Sequence, residues 1–155
     1  RGILISGLSK QFPKFVAIFI SAFYYAILHF LSTDTVIPME QLNLLSGFTL
    51  LVEAFQNLTN PVILPAFFPL LMVGIFLGLL RVKNQAGLGL CIGCHTCWVW
   101  QIKMNKTIFN TDFTTEYAYW VSHYDGVIGP LVTVWLGLAV VGWLGFPMLK
   151  KKVKA

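Results

Sequence analysis

The sequence predicts an all-α integral membrane protein of about four transmembrane helices in a small bundle. Three observations carry that expectation. Mean hydropathy is +0.75, far above what a soluble domain of 155 residues sustains. Hydrophobic residues make up 57% of the chain and charged residues 11%, too few charges to cover a water-exposed surface. Three apolar runs each match the length of a bilayer crossing, about 20 residues. Soluble enzymes, nucleic-acid binders and secreted disulfide scaffolds are therefore excluded as classes. The net charge of +5 implies no nucleic-acid partner, because the cations lie beside apolar runs, where they anchor topology.

The first helix is expected over about 13–33, behind the basic flank of Arg1, Lys10 and Lys14. The run is too long for a secretory signal and ends in Ser32-Thr33-Asp34-Thr35 rather than at a cleavage site. Residues 39–56 are strongly apolar but interrupted by Glu40, Asn43 and Glu53, so they form either a short crossing or an interfacial helix. A turn over Asn57 to Pro61 leads to a spanning helix over 62–80, closed by Arg81 and Lys83 and carrying Pro65 and Pro69. Both prolines should kink its first half. The segment 86–102 is glycine-rich, holds all three cysteines and is short for a crossing. Lys103 to Asp125 is polar, with Asp112, Glu116 and Asp125 among Tyr117, Tyr119, Trp120 and Tyr124, which suits a surface segment with an interfacial aromatic belt. The last helix is expected over 127–149, stopped by Lys150, Lys151 and Lys152, with Lys154 beyond. No internal repeat or linker divides residues 1–155, which read as a single transmembrane domain.

Basic residues at both ends place both termini on the cytoplasmic, matrix or stromal side and require an even number of crossings. The fourth crossing is then either 39–56 or 86–102. If the later segment crosses, every cation except Lys103 and Lys106 lies inside, so charge favours it; its short, glycine-rich composition favours the earlier one. The expected location is a bacterial inner membrane, or a mitochondrial inner or thylakoid membrane.

Cys91-Ile92-Gly93-Cys94-His95 matches the C-x-x-C-H pattern of covalent c-type haem attachment, in which two thiols bond the porphyrin edge and the adjacent imidazole binds iron. On this reading Cys91, Cys94 and His95 bind the haem, His95 is the proximal iron ligand, and His123 or Met104 supplies the second axial position. The function so predicted is that of a small electron-transport subunit in a multisubunit respiratory or photosynthetic complex, not catalytic alone. Attachment outside the cytoplasm would require 39–56 to cross. Cys91, Cys94 and Cys97 could instead contribute to an intersubunit iron-sulfur cluster, or, with His95, bind zinc. Cysteines packed against glycines, with no cofactor, are the plainest alternative. An accessory subunit without a redox centre is the competing function. Partners on either account are other membrane subunits and lipid, with quinone or pigment as candidate ligands.

His29 and Glu53 stand out as ionisable groups in apolar surroundings, which marks them as functional candidates by default. His29 could ligate a haem or a chlorophyll magnesium or bond a quinone, or simply reach the interface from its helix end. Glu53 would serve a proton path or quinone site if its segment spans, and a solvated face if it does not. The sequons at Asn57 and Asn105 are of a frequency that chance supplies.

Overall fold

The computed structural model describes residues 2–33, 35–83, 87–123 and 126–152, with side chains from Leu4 to Gly145 within them. Arg1, Asp34, Tyr124, Asp125 and Lys154, which entered the sequence reading, lie outside the described residues. All regular structure among those residues is helical: α1 Gly2–Leu8, α2 Lys14–His29, α3 Ser46–Asn57, α4 Leu64–Lys83, α5 Gly87–Ile108 and α6 Pro130–Lys152, with short 3-10 turns at Met39–Gln41, Pro61–Ile63 and Ala118–Trp120. The all-α expectation holds. Among the described residues one stretch, Pro61–Lys83, is by itself long and apolar enough to cross a membrane, and Lys14–His29 and Pro130–Gly145 are shorter apolar helices.

Helix α4 is the centre, packing against α2, α5 and α6. Its partner α2 supplies a small-residue face, Ala17, Ile18, Ser21, Ala22 and Ala26, all buried. The seam is antiparallel and close. An added Cβ at Gly74 would stand 2.8 Å from Ala22 Cα, and one at Gly78 2.8 Å from Ile18 Cγ2. Gly74-x-x-x-Gly78 thus brings the two backbones together as small-residue motifs do in lipid, where close packing replaces the hydrophobic drive. Toward the other end, Ala26 of α2 and Phe30 just beyond it bury against Ile63, Ala66 and Leu70.

Local chemistry sets the ends of these elements. Asn43 Oδ1 accepts from Leu45 N and from Ser46 Oγ, and Asn43 N donates to Ser46 Oγ; together these shape the turn that leads into α3. Asn60 Oδ1 accepts from Val62 N and precedes Pro61, fixing the turn into α4. Pro65 falls in the first turn of α4, where a missing N–H costs little, and Pro69 is buried inside the helix. Pro130 opens α6 at its preferred first position.

Several boundaries differ from the sequence expectation. α3 has 12 residues, a rise of about 18 Å, well short of a hydrocarbon core of about 30 Å. α5 has 22 residues and rises about 33 Å, because Lys103 to Ile108, read from sequence as the start of a polar surface segment, continue the helix. Lysine and methionine are good helix formers, and polarity alone does not end a helix. α1 was not anticipated.

Candidate functional site

Two of the three histidines meet around one tyrosine. His29 is the last residue of α2, and its Nδ1 lies 2.8 Å from the carbonyl oxygen of Tyr25, one turn earlier. A carbonyl only accepts, so Nδ1 carries the proton and donates, and the basic lone pair of the ring resides on Nε2. The His29 and Tyr25 rings pack edge to face with centroids 4.2 Å apart. His95, on α5, approaches the same tyrosine at 6.1 Å, also edge to face. Sixty-six positions separate the two histidines in sequence. Helix α4 brings them together, since Tyr25 packs on the Val73, Leu77 and Leu80 cluster that also receives Cys91, Cys94 and Trp98 of α5.

The helical periodicity of α5 explains that docking. Residues 91, 94, 95 and 98 share one face at spacings of three and four, and it is the half-buried one. Cys91 Sγ donates to the carbonyl of Leu77 at 3.2 Å. Cys91 and Cys94 are half-buried in the seam with α4, and Cys97 is exposed. Cys91 and Cys94 therefore pack against aliphatic side chains of α4, and Cys97 does not share that seam.

The remaining candidates lie elsewhere. Met104 is exposed; nine residues beyond His95 on the same helix, it is about 13.5 Å further along and on the opposite face. His123 is exposed in the loop before α6 and stacks on Phe113, centroids 4.6 Å apart. Among the described residues, no three His, Cys, Asp or Glu side chains gather in a metal-holding group. Glu53 is half-buried on α3 and accepts a hydrogen bond from Thr33 Oγ1 at 2.9 Å, four residues beyond His29 in sequence. Hydrogen bonds from Thr35 and then Thr33 hold its carboxyl below the ordinary range, against a smaller opposing effect of desolvation. Asn57 Nδ2 donates to the carbonyls of Phe30 and Ser32 at 3.3 and 3.5 Å.

Among the described residues, an all-helical chain with two histidines against one tyrosine is the arrangement so defined. The chain belongs to the Rce1-like family of type II CAAX prenyl endopeptidases, whose family model matches residues 1–101. No curated protein and no solved structure matches it significantly. The family is one of integral membrane proteases, so the membrane location stands. The match overturns the electron-transfer reading. Haem, iron, electron transport and metal binding are withdrawn with it as descriptions of the chain. The physical reason is visible at the motif: C-x-x-C-H here is one face of an uninterrupted helix, and its first thiol bonds a backbone carbonyl of α4. Sequence reasoning flagged His29 and His95 separately and for other chemistry. What it missed was the approach of both to Tyr25, and no signal in a single sequence places His95 beside a ring 70 positions away.

Proposed function

We propose that this chain forms a membrane-embedded endopeptidase site for prenylated Cys-a-a-X peptides, with His29 and His95 as its acid–base pair. The observation that carries the reading is the convergence of both imidazoles on Tyr25, within the stretch that matches the peptidase family. Peptide hydrolysis needs a proton taken from the attacking water and another given to the departing amine. His29 suits the first task, because its Nδ1–H is engaged by the Tyr25 carbonyl and its Nε2 is the basic nitrogen. His95 suits the second. Water oxygen bonds the carbonyl carbon, the C–N bond breaks, and one proton passes through each imidazole. A prenyl chain gains roughly 0.8 kcal/mol per buried methylene on entering a bilayer, so a site reached from the membrane meets its substrate already concentrated there.

On this reading α2, α4, α5 and α6 cross, with α3 outside the count; Pro61–Lys83 is long and apolar enough by itself, and Lys14–His29 and Pro130–Gly145 are shorter apolar helices. That arrangement keeps the basic flanks on one side and puts the cysteines within the bilayer. The test is cleavage of a farnesylated Cys-a-a-X peptide by membranes containing the protein. His29→Ala and His95→Ala should each lower the rate by about 10²- to 10⁴-fold, the range for a lost acid or base, while His123→Ala leaves it unchanged. Wild-type rates in both of the first two variants would remove the proposal.

A further inference from the structure

Helix α3 is built the wrong way round for a helix in water. At 100° per residue, Ser46, Glu53 and Asn57 fall on one side, and Phe48, Leu51, Val52 and Phe55 on the other. The polar side is the one turned to the protein: Ser46 is buried, Glu53 bonds Thr33, and Asn57 bonds the carbonyl of Phe30. The apolar side points away, with Phe48 66% exposed, Leu51 51% and Phe55 54%. Leu42, Leu44 and Leu45 extend this exposed apolar surface ahead of the helix. Water would reverse that pattern, and lipid explains it. The helix is too short to cross, yet Asn57 joins it to the end of α2, an apolar helix whose own Phe19, Phe23 and Leu28 are exposed.

We propose that α3 is an in-plane membrane clamp: its Phe48, Leu51, Val52 and Phe55 face rests in the acyl boundary of the bilayer, while Glu53 and Asn57 hold the segment following His29. The partner is zwitterionic lipid. No lysine or arginine occurs between Lys14 and Arg81, so nothing on the clamp recruits anionic headgroups, and burial of apolar area alone drives insertion. The clamp also fixes the chain directly after the histidine that ends α2, since Asn57 satisfies carbonyls of the kind that a helix C-terminus leaves open. The proposal does not use the peptidase reading, and its tests read depth and exchange rather than turnover.

The experiment uses the protein in phosphatidylcholine vesicles, with Cys91, Cys94 and Cys97 replaced by serine and one nitroxide label introduced at a time. Labels at Phe48→Cys, Leu51→Cys and Phe55→Cys should collide with oxygen in preference to a water-soluble nickel chelate; labels at Thr49→Cys and Gln56→Cys should show the reverse. Doping with phosphatidylglycerol should change neither set. Preference for nickel at 48, 51 and 55 would put the face in water, and shielding from both reagents would put a second copy or another protein on it; either overturns lipid as the occupant. Separately, Glu53→Ala and Asn57→Ala should each speed amide hydrogen exchange over residues 31–36 by about fivefold, the effect of one lost hydrogen bond. Glu53→Gln, which keeps an acceptor for Thr33, should restore protection. Unchanged exchange in both alanine variants would overturn the clamp.

Discussion

Two G-x-x-x-G pairs occupy neighbouring helices and behave oppositely. Gly74 and Gly78 of α4 lie where an added methyl would meet Ala22 and Ile18, whereas Gly89 and Gly93 of α5 have nothing within 4 Å of that position. The pattern is the same in both helices, and its consequence is set by the neighbour. α4 has partners on three sides and buries nine residues, while α5 meets α4 along one face and buries only Gly87 among its described residues. A small-residue motif is therefore a permission for close approach, and the structure shows which of the two is used.

The sharpest way to break this contrast is Gly74→Ala. Its methyl would press on backbone as well as side-chain atoms of Ala22, which cannot swing aside, so a loss of about 1–3 kcal/mol is expected from overpacking. Gly74→Leu should cost more. Because α2 carries Tyr25 and His29 while α5 reaches them across α4, the same variants should also lower peptide cleavage. Denaturant titration in detergent micelles measures the first effect, and wild-type stability for Gly74→Ala would show that the seam is looser than 2.8 Å implies.

Gly78→Ala should do less, about 1 kcal/mol. Its new methyl meets Ile18 Cγ2, part of a side chain that is stiff but still movable. Ile18→Ala should relieve it, so the double variant is expected to be less destabilised than the two single losses added together. A double-mutant cycle reads that coupling, and strict additivity would mean that the two residues do not touch.

How far the sequence reached follows the same division between local and non-local signals. Helical class, the α4 span and the ambiguity of 39–56 were legible because apolar run length and charge interruptions act locally. The extent of α5 was not, since Lys103 and Lys106 read as the end of an apolar run although their helix propensity is high. His29 was visible as an ionisable group in an apolar run, but its use was not, because its partners are a carbonyl one turn back and a ring one helix away. Cys91-x-x-Cys94-His95 misled for a related reason. The spacing that presents two thiols and an imidazole to a porphyrin edge also places them on one face of an α-helix, and sequence alone does not say what that face meets.

On the other side of the comparison, Gly89→Ala and Gly93→Ala should be neutral or should stabilise by up to about 1 kcal/mol each, the cost a helical glycine carries relative to alanine. Cleavage should be unchanged. A loss of stability comparable to that of Gly74→Ala would mean that an unseen partner covers this face, and the asymmetry between the two motifs would vanish.

The smallest effect expected is a pH dependence confined to the clamp. The carboxyl of Glu53 is held below its ordinary value of 4.5 by hydrogen bonds from Thr35 and Thr33. A depressed folded-state value means that the unfolded chain binds a proton more readily, so the stabilisation is complete above about pH 4.5 and disappears as pH falls through the lower folded value. Neutral and alkaline conditions should leave the clamp intact. Hydrogen exchange over residues 31–36, corrected for its intrinsic pH dependence, should therefore lose protection as pH falls below about 4.5 in the wild type. Glu53→Gln cannot titrate and should be flat across that interval. The α2–α4 seam contains no titrating side chain among its buried residues, so amides of Ala22 and Gly74 should keep their protection throughout. Parallel loss in both regions would mark global acid unfolding rather than release of the clamp.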